Sequence, residues 1–168
     1  MKIYWIDNYV KDKVIIGEIL QSFHGKVALI NRRFPLISNL SVLENIILPA
    51  SYYSDNKYLF FKDRVAEYLN RFEMLQKMHS RQNELSKFEN FVVRFLQAYF
   101  SPFEKIIAVN ELYEFHDNER ISIFQFLKAE KSDNVLFMEY NRYKDIYEGI
   151  EYQNIEDYKN WLIQDLKI

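Results

Sequence analysis

Four short apolar runs, separated by stretches of helical period, constrain this chain more than any other feature. Lys2–Ile6 and residues 26–30 read as strands, Lys105–Val109 as a buried strand and residues 134–138 as another. Between the first two, residues 13–23 put Val14, Ile15, Ile19 and Leu20 at helical spacing, and Gly25 is the stop signal. Residues 34–49 are bounded by two prolines and predict a short helix over 41–47. Residues 57–78 predict a longer amphipathic helix with Phe61, Val65, Leu69, Phe72 and Leu75 on one side. Ser86 and Glu89 have the S-x-x-E form of a capping box, so a helix should begin at Ser86, run through the apolar residues 91–99 and close before Pro102. Asp117 is placed to cap a helix reaching Ala129, and Asn154 to cap a last helix over 155–166. Strands alternating with helices imply right-handed crossovers. The expected fold is α/β, a mostly parallel sheet covered by helices, with a helical insert over about residues 41–84.

Composition narrows the functional classes. A chain of 168 residues with 49% hydrophobic content can bury a core, and residues 1–168 read as a single domain. The apolar run ending at Phe100 is interrupted by Arg94 and Gln97 and falls well short of the ~20 residues that span a bilayer, so no membrane span is expected. The residues after Met1 soon reach Asp7, Asn8 and Lys11, unlike a secretory signal, and the expectation is a cytoplasmic location. Without cysteine there is neither a disulfide framework nor a thiolate zinc site. His24, His79 and His116 are far apart, so no metal is expected. A net charge of -2 argues against a nucleic-acid partner. The 13 Tyr and 14 Phe are expected mainly to fill the core.

The segment Phe34-Pro35-Leu36-Ile37-Ser38-Asn39-Leu40-Ser41-Val42-Leu43-Glu44-Asn45-Ile46, followed by Pro49, resembles the stretch after the Q-loop of ABC transporter ATPases. The resemblance extends in register through most of the chain. Asp7 to Val14 stand where the family has the P-loop G-x-x-x-x-G-K-(S/T), with Asp7 and Asp12 at the glycine positions, Lys13 at the lysine and Val14 at the Mg²⁺-binding Ser/Thr. Arg32 falls at the Q-loop glutamine. Leu85-Ser86 begins the LSGGQ signature, but Lys87, Phe88 and Glu89 complete it. Asn110 and Glu111 stand at the Walker B aspartate and the catalytic base, Asp117 at the D-loop aspartate, and Tyr140 at the switch histidine.

The resemblance implies a P-loop NTPase-like domain whose antiparallel subdomain is reduced or absent, because few residues separate the first helix from Arg32. It also implies that Asp7, Asp12, Lys13, Val14, Ser86, Asn110 and Asp117 are vestiges of a nucleotide site, with Glu111 and Tyr140 vestiges of catalysis. No cofactor is expected, since two carboxylates replace glycines that let backbone amides cradle phosphate. The function implied is a non-catalytic pseudo-ATPase subunit of an ABC-type transporter or envelope complex. It would dock on an integral-membrane permease through Arg32, Arg33, Phe34, Asn39, Glu44, Tyr52 and Tyr53, peripheral to the inner face of the cell membrane. Two alternatives stand beside it: a weak ATP/Mg-binding subunit sharing composite sites with an intact ATPase paralogue, as a heterodimer or homodimer, and a free-standing interaction adaptor.

Overall fold

Residues alternate in direction along a strand, and here both faces of every central strand are apolar. The computed structural model describes residues 1–23, 26–53, 58–157 and 160. Five strands form one sheet in the order β2-β3-β4-β1-β5: β1 Lys2–Ile6, β2 Val27–Ile30, β3 Lys105–Val109, β4 Val135–Tyr140 and β5 Gln153–Asn154. All four pairings are parallel, with Ile3 opposite Phe137 and Ile107 opposite Leu136. Ile3, Ala28, Ile30, Ile106, Ala108, Val135 and Phe137 face one core, and Ile6, Val27, Ile107, Val109, Leu136 and Met138 face the other. A parallel sheet needs cover on both faces, and this pattern supplies it.

The smaller core is closed by α1 (Asp12–Phe23) through Ile15, Ile19 and Phe23. The larger one is closed by α2 (Val42–Tyr53), α3 (Tyr58–Arg71), α4 (Lys87–Tyr99) and α5 (Asp117–Ala129). Phe91, Val92, Val93, Phe95 and Leu96 of α4 are wholly buried there, and Ser86 starts that helix as the sequence predicts. Its hydroxyl accepts from the Glu89 N–H at 3.1 Å while the Glu89 carboxylate accepts from the Ser86 N–H at 2.7 Å.

Several boundaries differ from expectation, each for a local reason. The helix expected over 41–47 continues to Tyr53 through Pro49, because Val42, Leu43, Ile46, Ile47 and Ala50 form a buried stripe whose packing outweighs the missing proline N–H. The helix expected to reach Met78 stops at Arg71. Glu73 adopts a φ of 58°, and the Met74 N–H donates to the Leu69 carbonyl at 2.8 Å while the Glu73 N–H donates to Asn70. This is a Schellman closure without glycine. The N-cap of α5 is His116, not Asp117, and the Glu119 carboxylate accepts from the His116 N–H at 2.8 Å. Asn154 is not a cap either; it lies in β5 opposite Ile3. The helix expected over 155–166 begins with residues that are not helical; Asn160 is helical, and the other residues of the range lie outside the described ones, as does the expected stop at Gly25.

From β1 the chain passes through α1 to β2 at the far edge, whereas the connection leaving β4 reaches β5 on the other side of β1. The connections therefore diverge at β1 and β4, and the carboxyl ends of strands at such a point are where α/β sheets commonly bind ligands.

Candidate functional site

Four loops meet at this end of the sheet: residues 7–11 after β1, 31–35 after β2, 110–116 after β3 and 141–147 after β4. The first is tied back on itself, with the Val10 N–H donating to the Asp7 carbonyl at 3.0 Å and Asn141 Nδ2 reaching Asp7 at 3.4 Å. Asp12, the first residue of α1, turns its carboxylate inward and is 8% exposed. The Tyr140 hydroxyl lies 2.6 Å from Asp12 Oδ1 and 2.7 Å from the Val10 carbonyl, so its proton is shared between two acceptors. Asn110 Nδ2 approaches both Asp12 oxygens at 3.4 and 3.5 Å. Burial, and then the hydrogen bond to Asp12, push the Tyr140 phenol up to about 12. It therefore remains a donor at any physiological pH. An aspartate at position 110 would set a second carboxylate against Asp12; the amide gives that carboxylate a donor instead.

One residue along, Glu111 is buried and its carboxylate is divided between two donors. Its Oε1 accepts from the Arg32 backbone N–H at 2.6 Å, and its Oε2 pairs with Arg94 Nη2 of α4 at 2.9 Å. Desolvation raises its pKa, and Arg94 opposes the rise. The backbone that carries it is held from behind: Oε1 of Glu139, a fully buried residue of β4, accepts from the N–H groups of Glu111 and Leu112 at 3.1 Å each. Burial pushes the Glu139 carboxyl up to about 8. Asn110 links the two halves with a φ of 52°, a left-handed conformation that asparagine tolerates better than most side chains.

The other residues singled out by sequence are scattered. Lys13 and Val14, in the first turn of α1, are exposed. Ser86 is occupied by its cap, and Asp117 is exposed and paired with the buried Arg120. Arg32, Arg33, Phe34, Asn39, Glu44 and Tyr52 are exposed, Tyr52 by 78% and Phe34 by 43%; the Tyr53 side chain lies outside the described set. Arg32 is engaged through Nη1 with Glu114 at 2.6 Å and the Tyr113 hydroxyl at 2.9 Å. The Glu44 carboxylate accepts from both the N–H and the hydroxyl of Ser41 at 2.7 Å, a role in starting α2. Leu36, Val42, Leu43, Ile46 and Ile47 belong to the core.

Sequence reasoning missed Arg94, Glu139 and Asn31. Arg94 carried a signal, as a lone cation within an apolar helical run that must be either exposed or paired. Glu139 carried a similar one within the run Val135–Tyr140. Asn31 carried none; it is fully buried, its Nδ2 donating to the Val109 carbonyl at 2.8 Å and its Oδ1 accepting from the Arg33 N–H at 3.0 Å, which fixes the start of the 31–35 loop.

Among the described residues no group of His, Asp or Glu is arranged to hold a metal ion, and no helix is long and apolar enough to cross a membrane. No protein-family model matches the chain, and no curated protein matches it in sequence. Solved structures do resemble it. The dimeric structure of MJ0796, a bacterial ABC transporter cassette, superposes with a TM-score of 0.60 at 21% identity, covering 88% of this chain and 65% of that one. A post-hydrolysis state of the MJ0796 ATP-binding cassette bound to ADP and Pi gives 0.61 at 20% identity, covering 90% and 68%. The chain thus spans about two thirds of the length of the cassettes it matches. At this identity the likeness establishes the fold: the five-stranded parallel sheet and its helices are those of an ATP-binding cassette, as the sequence resemblance implies.

Proposed function

We propose that this chain, which has the fold of an ABC transporter ATP-binding cassette, is a non-catalytic subunit that docks on a membrane permease as a structural or regulatory partner. The observation that carries the non-catalytic half is the buried Asp12 carboxylate, held by Tyr140 and Asn110 at the position of the second P-loop glycine. A triphosphate entering there would meet a fixed negative charge, and two unit charges about 4 Å apart at an effective dielectric of 20 repel by about 4 kcal/mol. Lys13, the one P-loop side chain that matches the motif, is exposed on α1. Glu111, at the catalytic base position, is engaged by Arg94. Restoring glycine at positions 7 and 12 and serine at 14 therefore leaves the reaction without its base, its signature glycines and its switch histidine.

The test is thermal unfolding of the purified protein with millimolar Mg-ATP. No shift is expected; a ligand at 100 times its Kd would stabilise by about 2.7 kcal/mol, and a shift of that size would overturn the non-catalytic reading in favour of a composite ATP site.

The docking half rests on the segment following Arg32, whose similarity to the cassette pattern is the longest in the chain and whose polar and aromatic side chains Arg33, Phe34, Asn39 and Tyr52 are exposed beside a buried core. Interface anchors are commonly arginine and aromatic. Such a subunit would sit at the inner face of the cell membrane. Changing Arg32 and Arg33 together to Glu, with the fold checked by circular dichroism, should abolish recovery of the membrane partner in a pull-down. Undiminished recovery would remove this surface and leave the free-standing adaptor ahead.

A further inference from the structure

The 3₁₀ segment Asn141–Tyr147, which leaves the carboxyl end of β4, carries two exposed cations that lie against aromatic rings. The Arg142 guanidinium carbon is 4.6 Å from the Tyr140 ring centroid and 4.9 Å from that of Tyr143, and Lys144 Nζ is 5.8 Å from that of Trp5. The rings are themselves fixed. Tyr143 is stacked on Tyr113 with centroids 4.4 Å apart and planes 7° from parallel, and Tyr140 is held through its hydroxyl by Asp12 and the Val10 carbonyl. The backbone is fixed as well: the Arg142 N–H donates to Asn8 Oδ1 at 2.9 Å, which ties this segment to the 7–11 loop. Yet among the described residues neither cation has a carboxylate partner, and no hydrogen bond uses the side-chain donors of Arg142 or Lys144. Asp7 and Asp145, the exposed carboxylates of the same two loops, pair with neither.

An exposed arginine with idle donors ordinarily wanders among its rotamers. A guanidinium set against two fixed rings has lost much of that freedom already, while its N–H groups still lack acceptors, so binding an oxyanion costs it less ordering. We infer that Arg142 and Lys144, together with Tyr9 of the tied loop, form a docking site for an acidic peptide segment of a partner protein, whose carboxylates fall on the two cations. The guanidinium fork accepts a carboxylate in bidentate fashion, and arginine with tyrosine is the composition of interface anchors; Tyr9 is 82% exposed. Single charges suit this place better than a phosphoryl dianion, because Asp7 and Asp145 flank it and the buried Asp12 lies behind Tyr140. A nucleic acid, with a phosphate at every nucleotide, is disfavoured for the same reason and by the net charge of -2. A lipid surface is disfavoured because Tyr9 is the one large hydrophobic side chain exposed on these two segments, which leaves no apolar face to insert. This inference uses none of residues 32–53 and stands apart from docking on a permease.

The experiment is fluorescence anisotropy of the intact chain with a short labelled peptide alternating Glu and Ser, beside an analogue with Gln for Glu and one with phosphoserine for Glu, and with phosphatidylserine vesicles as competitor. The Glu peptide should bind saturably and weaken with salt, the Gln peptide should not bind, the phosphoserine peptide should bind no more tightly, and the vesicles should not displace the Glu peptide. Arg142→Gln should weaken binding about tenfold through the loss of charge-assisted hydrogen bonds, and Arg142→Lys should restore little of it, since an ammonium has no planar fork. Lys144→Gln should weaken binding about threefold. Both side chains are exposed, so the variants should keep the wild-type circular dichroism. Whether or not they do, the wild-type Arg142 Nε signal in NMR must move with the Glu peptide and stay in place with the Gln peptide. Absence of saturable binding, equal binding of the Gln peptide, tighter binding of the phosphoserine peptide, displacement by vesicles, or undiminished binding by folded Arg142→Gln would overturn the proposal.

Discussion

Asp12 and Glu111 are two buried carboxylates at the same end of one sheet, and the chain treats them in opposite ways. Asp12 is met by a phenol and an amide, with no hydrogen bond or ion pair to a cation among the described residues, and the pieces close on one another. Glu111 is met by a guanidinium and a backbone amide, and a cavity remains beside it. A carboxylate satisfied by neutral donors has no counter-ion beside it. Beside Arg94, a cation held on a neighbouring helix, the same group is charge-balanced. One end of the sheet is thus divided into a closed half around Asp12 and a half around Glu111 that borders a cavity.

The largest test of that contrast is Arg94→Ala. It leaves Glu111 buried without its cation, and breaking a buried pair in this way costs about 3–5 kcal/mol. Urea unfolding should show that loss; a change under 1 kcal/mol would mean that the backbone amide of Arg32 satisfies Glu111 alone and that the contrast with Asp12 is false.

Next is the support behind Glu111. The Glu139 carboxyl lies above its ordinary value of 4.5, at about 8, so the folded state holds its proton more tightly than the unfolded chain does. Its contribution is fully present below about pH 4.5 and is lost as pH rises through about 8, an effect on the order of 5 kcal/mol at 1.4 kcal/mol per pKa unit. Glu139→Gln keeps an oxygen for the Glu111 and Leu112 N–H groups but does not titrate. It should flatten the fall in stability across that window, and identical pH curves for variant and wild type would remove Glu139 as its source.

The sealed half is tested by a double-mutant cycle of Asp12→Ala and Asn110→Asp. Each change alone should cost about 1–3 kcal/mol, the first by orphaning the Asn110 amide and the second by opposing two carboxylates. Together they should cost less than their sum, because the repulsion goes when Asp12 does. Additive losses would show that the pair is not coupled. The smallest effect is expected at the rim, where Arg32→Gln removes an ion pair to Glu114 whose arginine is half exposed. Such pairs are worth about 0–1 kcal/mol, and a larger loss would place Arg32 inside the structural network rather than on a surface free to dock.

Much of the architecture is legible in the sequence because it is written in local patterns. The capping box at Ser86 and Glu89 depends on residues three apart, and the strand runs need only their own apolar content. The end of α3 is not legible, since its left-handed residue is Glu73, where a reader looks for glycine. Asn154 misleads for a related reason: asparagine is a good cap, but the edge of β1 claims it for the sheet.

At the site the sequence by itself places Asp12 at the start of α1, Glu111 after β3 and Tyr140 at the end of β4. Only the tertiary structure decides which of these carboxylates is sealed and which stands beside a cavity. Tyr140 reaches Asp12 across 128 residues of chain, Asn110 across 98, and Arg94 reaches Glu111 from a different helix. Burial, pairing and the resulting shifts in proton affinity are properties of those encounters, set by how the sheet order and the helical insert bring the strand ends together, and no local pattern encodes them.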